Sequence, residues 1–270
     1  MAVQPVRERM RLSVIVPAFR EARHIRGSME RLSDCLDGLD LAYEVILVCD
    51  GNPDGTYSEA LTGASHRVHP YGYSPNMGKG YALRYGFERS SGDLVAFIDA
   101  DLDLDPDGIA HFVDVLTEEH ADVVVGSKRH PDSQVTYPAF RRFQSWVYQG
   151  IVGLLFDLRL TDTQTGLKLF RREVLEAAMP RLRVRRFAFD LELLVLAHRL
   201  GYEHIVEAPV HLNYHFGSTT GVRAVFDVLN DTLAIFWRLR VEHAYDRTDN
   251  VPMAQVNELP SVPEASLDRS

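Results

Sequence analysis

The stretch Leu94-Val95-Ala96-Phe97-Ile98-Asp99-Ala100-Asp101 decides the fold class. Five apolar residues in a row read as a strand buried on both faces, and two carboxylates follow where the strand runs out. On an extended backbone Asp99 and Asp101, at i and i+2, point the same way. Two such carboxylates repel unless a cation joins them. Mg2+ or Mn2+ suits the pair, because it keeps positions open for water and phosphate oxygens. A solvated turn with helix-capping acids is the competing account of a bare Asp-x-Asp. Asp103 and Asp105 belong to that account, since Asp105-Pro106 opens the next helix.

Working outward, two more buried strands precede this one. Leu12 to Val16 is an apolar run stopped by Pro17, and Glu44 to Val48 ends in the turn-forming Cys49-Asp50-Gly51-Asn52-Pro53-Asp54-Gly55. Helical spacing predicts helices over 22–36, 80–89 and 109–119, and a further strand over 122–125. Strands alternating with helices predict an α/β domain with a mostly parallel sheet. Such sheets bind ligands beyond the carboxyl ends of their strands. The polar clusters at 17–21, 50–54 and 99–105 all fall there. The second half is less regular, with helices expected over 139–156, 186–200 and 222–240. In the last of these, apolar residues at 222, 225, 226, 229, 233 and 236 predict an amphipathic helix. The domain is expected to span 11–242, after an N-terminal extension over 1–10 and before a disordered tail over 243–270, rich in Pro, Ser and acids.

Several polar residues stand out against this frame. Lys79, in Asn76-Met77-Gly78-Lys79-Gly80, is an ammonium among glycines that allow close approach to phosphate. It is not a Walker loop, because Gly80 stands where Ser or Thr is required; a plain turn and helix start explains it equally well. Asp50, at a strand end, is placed to accept hydrogen bonds from a base N–H. Asp190 and Glu192 lie in an apolar segment, where an acid is costly to bury without a partner, so a site role and a structural salt bridge both fit.

The chain has 270 residues and a formal net charge of -9, which excludes a general nucleic-acid binder. Cys35 and Cys49 sit in no metal-binding spacing and fit a reducing compartment. The first eleven residues lack the apolar core of a secretory signal, and no stretch approaches a spanning helix. A soluble or peripheral protein is expected. Charge is uneven: residues 128–186 hold 12 Lys/Arg against 5 Asp/Glu, interleaved with Phe140, Phe143, Trp146 and Phe156. Basic residues among aromatics suit an anionic membrane surface or lipid head group, and the 222–240 helix, with Phe236, Trp237, Arg238 and Arg240, suits the same interface or a role in closing the core.

Taken in order, these pieces resemble the family-2 glycosyltransferases with the GT-A fold. Val14 to Glu21 looks like that family's opening strand, Cys49 to Thr56 its nucleotide-contacting turn, Asn76 to Arg84 its donor loop and Asp99-Ala100-Asp101 its metal motif. The segments Asp162-Thr163-Gln164-Thr165-Gly166-Leu167-Lys168-Leu169-Phe170 and Phe187 to Leu194 resemble dolichyl-phosphate glucosyltransferases, with mannose synthases slightly further off. The resemblance implies inverting transfer of a hexose from a nucleotide diphosphate sugar (UDP-glucose favoured, GDP-mannose the alternative) to a polyprenyl or dolichyl phosphate at the cytoplasmic membrane face. It implies a donor set of Pro17, Phe19, Glu21, Asp50, Lys79, Asp99 and Ala100. Metal would be held by Asp99 and Asp101, with His215 a further ligand. Ser127, Arg141, Ser145, Gln164 and Gly166 would face the acceptor, and Asp101, Asp190 and Lys128 would carry the chemistry.

This chain departs from the family pattern at three places. Cys49 replaces a first aspartate, Lys128 replaces an arginine and loses its bidentate fork, and Thr219 stands where a basic residue is usual, with Arg223 or His215 as compensation. A phosphate acceptor needs no strong base, whereas a hydroxyl acceptor would call on Asp190 or Glu192. The rival expectations are a transferase to a soluble hydroxyl and a non-catalytic nucleotide-sugar binder.

Overall fold

The computed structural model describes residues 10–133, 139–158, 160–184, 188–212, 222–246 and 251–260; side chains in the two long helices are described from Tyr148 and Leu229 onward. One eight-stranded sheet organises them. Its strands are β1 (Arg11–Ala18), β2 (Ala42–Asp50), β3 (Val68–Ser74), β4 (Leu94–Phe97), β5 (Val123–Ser127), β6 (Lys168–Arg171), β7 (Ile205–Pro209) and β8 (Asn257–Glu258), in the order β7-β5-β6-β4-β1-β2-β3-β8. β1 pairs in parallel with β2 and β4, as do β2 with β3 and β5 with β7. β6 is antiparallel to both β4 and β5, and β8 is antiparallel to β3. The mostly parallel sheet expected from the strand–helix alternation is present.

Side-chain alternation along β1 and β2 builds two cores. Ile15, Ile46 and Val48 face one layer, containing α3 (Lys79–Phe87), α5 (Ala139–Phe156), α6 (Arg172–Ala178), α7 (Phe189–Arg199) and α8 (Val222–Arg240). Val14, Val16, Val45 and Leu47 face the other, containing α1 (Ile25–Asp37), α2 (Thr56–Thr62) and α4 (Gly108–Glu118). Burial on both faces is why the central strands read as unbroken apolar runs.

Two expectations about the second half change. The inward side of α8 is formed by Thr232, Ile235 and Leu239, while Leu233 is exposed. The expected stripe therefore keeps Phe236, which packs on the core beside Phe156, and loses Leu233, while Thr232 bonds Tyr148 of α5 across the interface at 3.1 Å. The tail is not disordered over 251–260. It crosses β3 as β8 and is pinned from α3: the Tyr81 hydroxyl donates to the Ala254 carbonyl (2.7 Å) and Arg84 to the Val251 carbonyl (2.6 Å). Tyr57 donates to the Pro260 carbonyl, and Tyr85 and Arg89 reach Glu258. Met253, Ala254, Val256 and Leu259 pack against the two cores, and the bonds to backbone carbonyls add to that contact.

Candidate active site

Three strand ends meet at one edge of the sheet. β1 delivers Pro17 and Phe19, β2 delivers Asp50, and the chain leaving β4 delivers Asp99. Together with Asn76 and Lys79 they line a cavity of about 360 Å³. Phe19 is 41% exposed, with the Arg20 guanidinium over its ring at 5.1 Å from the centroid. Asp50 is only 3% exposed and does a different job from the one expected of it. Its Oδ1 accepts the Met77 N–H (2.6 Å), and its Oδ2 accepts the Gly78 N–H and the Asn76 amide (both 2.8 Å). The carboxylate thus shapes the loop that starts α3, instead of standing open to read a base.

That loop aims Lys79 at Asp99, whose Oδ1 lies 2.5 Å from Nζ. Gly80 explains how α3 comes so close to α7: a Cβ there would stand 2.5 Å from the Phe189 ring. Charges alternate through the site. Burial alone would lift the Asp99 carboxyl, but Lys79, then Lys168 and Lys128, outweigh it and hold the group below the usual range. Asp101 goes the other way: burial, then the Asp99 and Asp103 charges, raise it. Glu21 is raised too, by burial first and then by Asp101. Burial opposes the charge on Lys79, yet Asp99 and Asp190 more than restore it and raise its pKa. Asp101, with its like-charged neighbours, is a site a divalent cation would relieve. Asp99 and Asp101 are the residues that would supply hard oxygen ligands to such a cation. Among the described residues no cluster of three metal ligands forms.

The loop 161–167 packs against Asp99. Asp162 holds it by accepting the Gln164 N–H (3.0 Å), the Thr165 hydroxyl (2.6 Å) and the Lys128 N–H (3.3 Å). Gly166 lies directly on Asp99, where a Cβ would come within 2.0 Å of Oδ2. Lys168, at the start of β6, is fully buried; its Nζ donates to the Thr165 carbonyl and, at 2.7 Å, to Asp190 Oδ1.

Residues 13–178 match the sequence profile described as Glycosyl transferase family 2. The chain belongs to that family. "Glycosyltransferase AglD" of Haloferax volcanii is 31% identical over 237 residues, covering 85% of this chain and 38% of that protein. A "Dolichyl-phosphate beta-glucosyltransferase" of Drosophila melanogaster is 33% identical over 210 residues, covering 71% of this chain and 64% of that one. The chain therefore spans less than two thirds of the length of both. Among solved structures, glucosyl-3-phosphoglycerate synthase from Mycobacterium tuberculosis, in complex with Mn2+, uridine-diphosphate and phosphoglyceric acid, superposes with a TM-score of 0.66. It is 20% identical, covering 97% of this chain and 92% of that one. Mannosyl-3-phosphoglycerate synthase from Rubrobacter xylanophilus superposes with a TM-score of 0.65 at 16% identity, covering 88% and 77%. These likenesses show the fold, which is GT-A-like.

In this member of the family the residues expected at the donor largely converge: Pro17, Phe19, Asp50, Lys79 and Asp99 share the cavity, and Asp101 and Glu21 act on each other beside it. Ala100 is buried in the second core and offers only backbone. The acceptor set fares differently. Ser127 is fully buried with its hydroxyl shared with Thr161 at 2.8 Å, so it braces the loop instead of facing an acceptor. Asp190 is spent on Lys168. Glu192 is enclosed too: it accepts the Arg183 and Val184 N–H groups and the Tyr245 hydroxyl, a structural role. His215 and Thr219 lie outside the described residues, as do the side chains of Arg141, Ser145 and Arg223. Lys168 was counted only as part of a basic surface. Its alternation with Leu167 and Leu169 reads equally well as a solvent-facing lysine, so the sequence carried no signal that it points inward.

Proposed function

We propose that the protein transfers a hexose, with inversion, from a nucleotide diphosphate sugar onto a polyprenyl or dolichyl phosphate at a membrane surface. The observation that carries this is the cavity at the strand ends, where Lys79 and Asp99 meet beneath an exposed Phe19. UDP-glucose is the favoured donor because several relatives are named dolichyl-phosphate beta-glucosyltransferases, and GDP-mannose is the alternative.

Phe19 offers a stacking face to the base. Asp99 and Asp101 would hold Mg2+ or Mn2+, a requirement supported by neighbours crystallised with Mn2+ or Mg2+. When bound, the cation supplies positive charge to the leaving diphosphate. Lys79 adds a preorganised ammonium at the same place, and Lys128 adds long-range positive charge. A lipid phosphate is already anionic and needs no proton removed. That favours a phosphate acceptor over a hydroxyl, since Asp190 and Glu192 are both committed to protein partners.

No helix among the described residues is long and apolar enough to cross a membrane. Contact with an anionic lipid surface is supported by Leu154 on α5 and by Leu233, Trp237 and Val241 on or just past α8, all exposed, with Arg238 and Arg240 beside them. The family likeness favours the cytoplasmic face.

The test is a screen of UDP- and GDP-sugars against a short polyprenyl phosphate with Mg2+ or Mn2+. The expected result is a lipid-linked hexose from UDP-glucose. Transfer only to a soluble hydroxyl overturns the acceptor; failure of both UDP and GDP to bind overturns the donor.

A further inference from the structure

Lys168 is fully buried on β6, paired in register with Phe97, two residues before Asp99. An ammonium taken wholly out of water is costly, and apolar residues of similar volume often stabilise a fold as well as a buried ion pair does. What the ammonium adds is direction. Its Nζ donates to the Thr165 carbonyl and, at 2.7 Å, to Asp190 Oδ1. It thereby ties the 161–167 loop to the first turn of α7.

Each tied segment packs on one member of the charged pair in the cavity. On the loop side, the Thr165 carbonyl belongs to the peptide that leads into Gly166, where a Cβ would stand 2.0 Å from Asp99 Oδ2. On the helix side, Phe189 precedes Asp190, and a Cβ on Gly80, the residue after Lys79, would stand 2.5 Å from its ring. Lys79 and Asp99 both line the cavity. The other loop braces act elsewhere. Glu207 accepts the Thr161 and Asp162 N–H groups at 2.8 and 3.0 Å, and Asp162 accepts the Gln164 N–H and the Thr165 hydroxyl. Lys168 holds the peptide that lies against Asp99, and it joins that peptide to the helix packed beside Lys79.

We propose that Lys168 is a positioning residue for the donor site: through the Thr165–Gly166 peptide and Asp190 it fixes Asp99 and Lys79 relative to each other for a nucleoside diphosphate and its cation. This rests on the donor reading above.

The test compares the full chain with Lys168→Met, Lys168→Met/Asp190→Leu and Leu116→Ala. Leu116 is a fully buried residue of α4, in the other core, and serves as the control for simple loss of stability. Thermal melts report stability, and calorimetry with UDP in Mn2+ reports the site. Both Lys168 variants should lose about tenfold or more in UDP affinity, the scale expected when a group that orients a metal ligand is removed. Leu116→Ala should melt lower than the parent yet bind UDP within about twofold of it, since the two sites are independent. The double variant leaves no stranded charge, so it should melt above Lys168→Met without regaining UDP affinity. Where Lys168→Met does not fold, the double variant alone decides. UDP affinity that returns with the melting temperature would mark the pair as a fold brace only and overturn the proposal. So would parent-like affinity in the Lys168 variants, or an equal loss in Leu116→Ala. If the parent chain binds neither UDP nor GDP, the donor reading itself fails, a result distinct from all of these.

Discussion

At Gly166 a side chain has nowhere to go, since its Cβ would stand 2.0 Å from the Asp99 carboxylate. Gly166→Ala should push Asp99 off its place while leaving the core intact. Mn2+-dependent UDP binding should weaken at least tenfold, with a melting temperature within a few degrees of the parent; calorimetry and thermal melts measure the two. Lys168 and Asp190 pose a different problem, an ion pair taken out of water. Removing one partner strands the other, so Lys168→Met should cost about 3–5 kcal/mol in urea denaturation, and Lys168→Met/Asp190→Leu should recover much of it. Glu192 has its pKa raised, by burial first, against bonds from Tyr245 and the 183–184 backbone. A carboxyl raised in the folded state stabilises the protein while protonated and loses that contribution as pH rises through the folded value. The stability of the parent relative to Glu192→Gln should therefore rise as pH is lowered from neutral toward that raised value, read as paired melts across pH. None of these roles stands out in the sequence. A buried lysine and a surface lysine are the same letter, and the residues that separate them come from other strands.

At the scale of elements, β8 and the stretch around it close the β3 edge, and α3 pins them through Tyr81, Arg84, Tyr85 and Arg89. An uncovered edge strand offers unpaired backbone to another chain. Ending the chain after Asp246 should lower stability by about 2–5 kcal/mol, several hydrogen bonds at about 1 kcal/mol each, and should produce dimers or larger species in size-exclusion chromatography. The central strands were legible because both faces of β1, β2 and β4 are buried and their sequences are unbroken apolar runs. β3 was not, because Pro70 and Gly72 interrupt it; Gly72 is needed where the Tyr57 ring would stand 2.7 Å from a Cβ. β6 was hidden by Lys168 and Arg171, which flank only two apolar residues. The reversed direction of β6 between β4 and β5 also had no local signature, since strand direction is set by what the chain pairs with.

At the scale of the whole molecule, the cavity lies at the strand ends, while α5 and α8 carry the exposed Leu154, Leu233 and Trp237. Trp237 is 56% and Leu233 57% exposed, one helical turn apart. If this face meets lipid, Leu233→Ser/Trp237→Ser should reduce co-sedimentation with anionic vesicles at least tenfold, given about 1.5–3 kcal/mol for each large apolar side chain buried. UDP binding should be unchanged. The remaining attraction should weaken as salt is raised, because Arg238 and Arg240 act across water.

By itself the sequence determined the layered α/β architecture, the strand-end position of Asp99 and Asp101, and the membership of Lys79, Asp50 and Phe19 in one site. Those features are local: apolar runs, turn residues and acids at fixed spacing. Only the tertiary structure decided that Asp50 holds a loop, that Ser127 and Glu192 are braces, that Asp190 is bound to Lys168, and that the segment 251–260 completes the sheet. Each of those outcomes depends on which distant group supplies the hydrogen bond or the opposite charge, and burial makes that partner decisive.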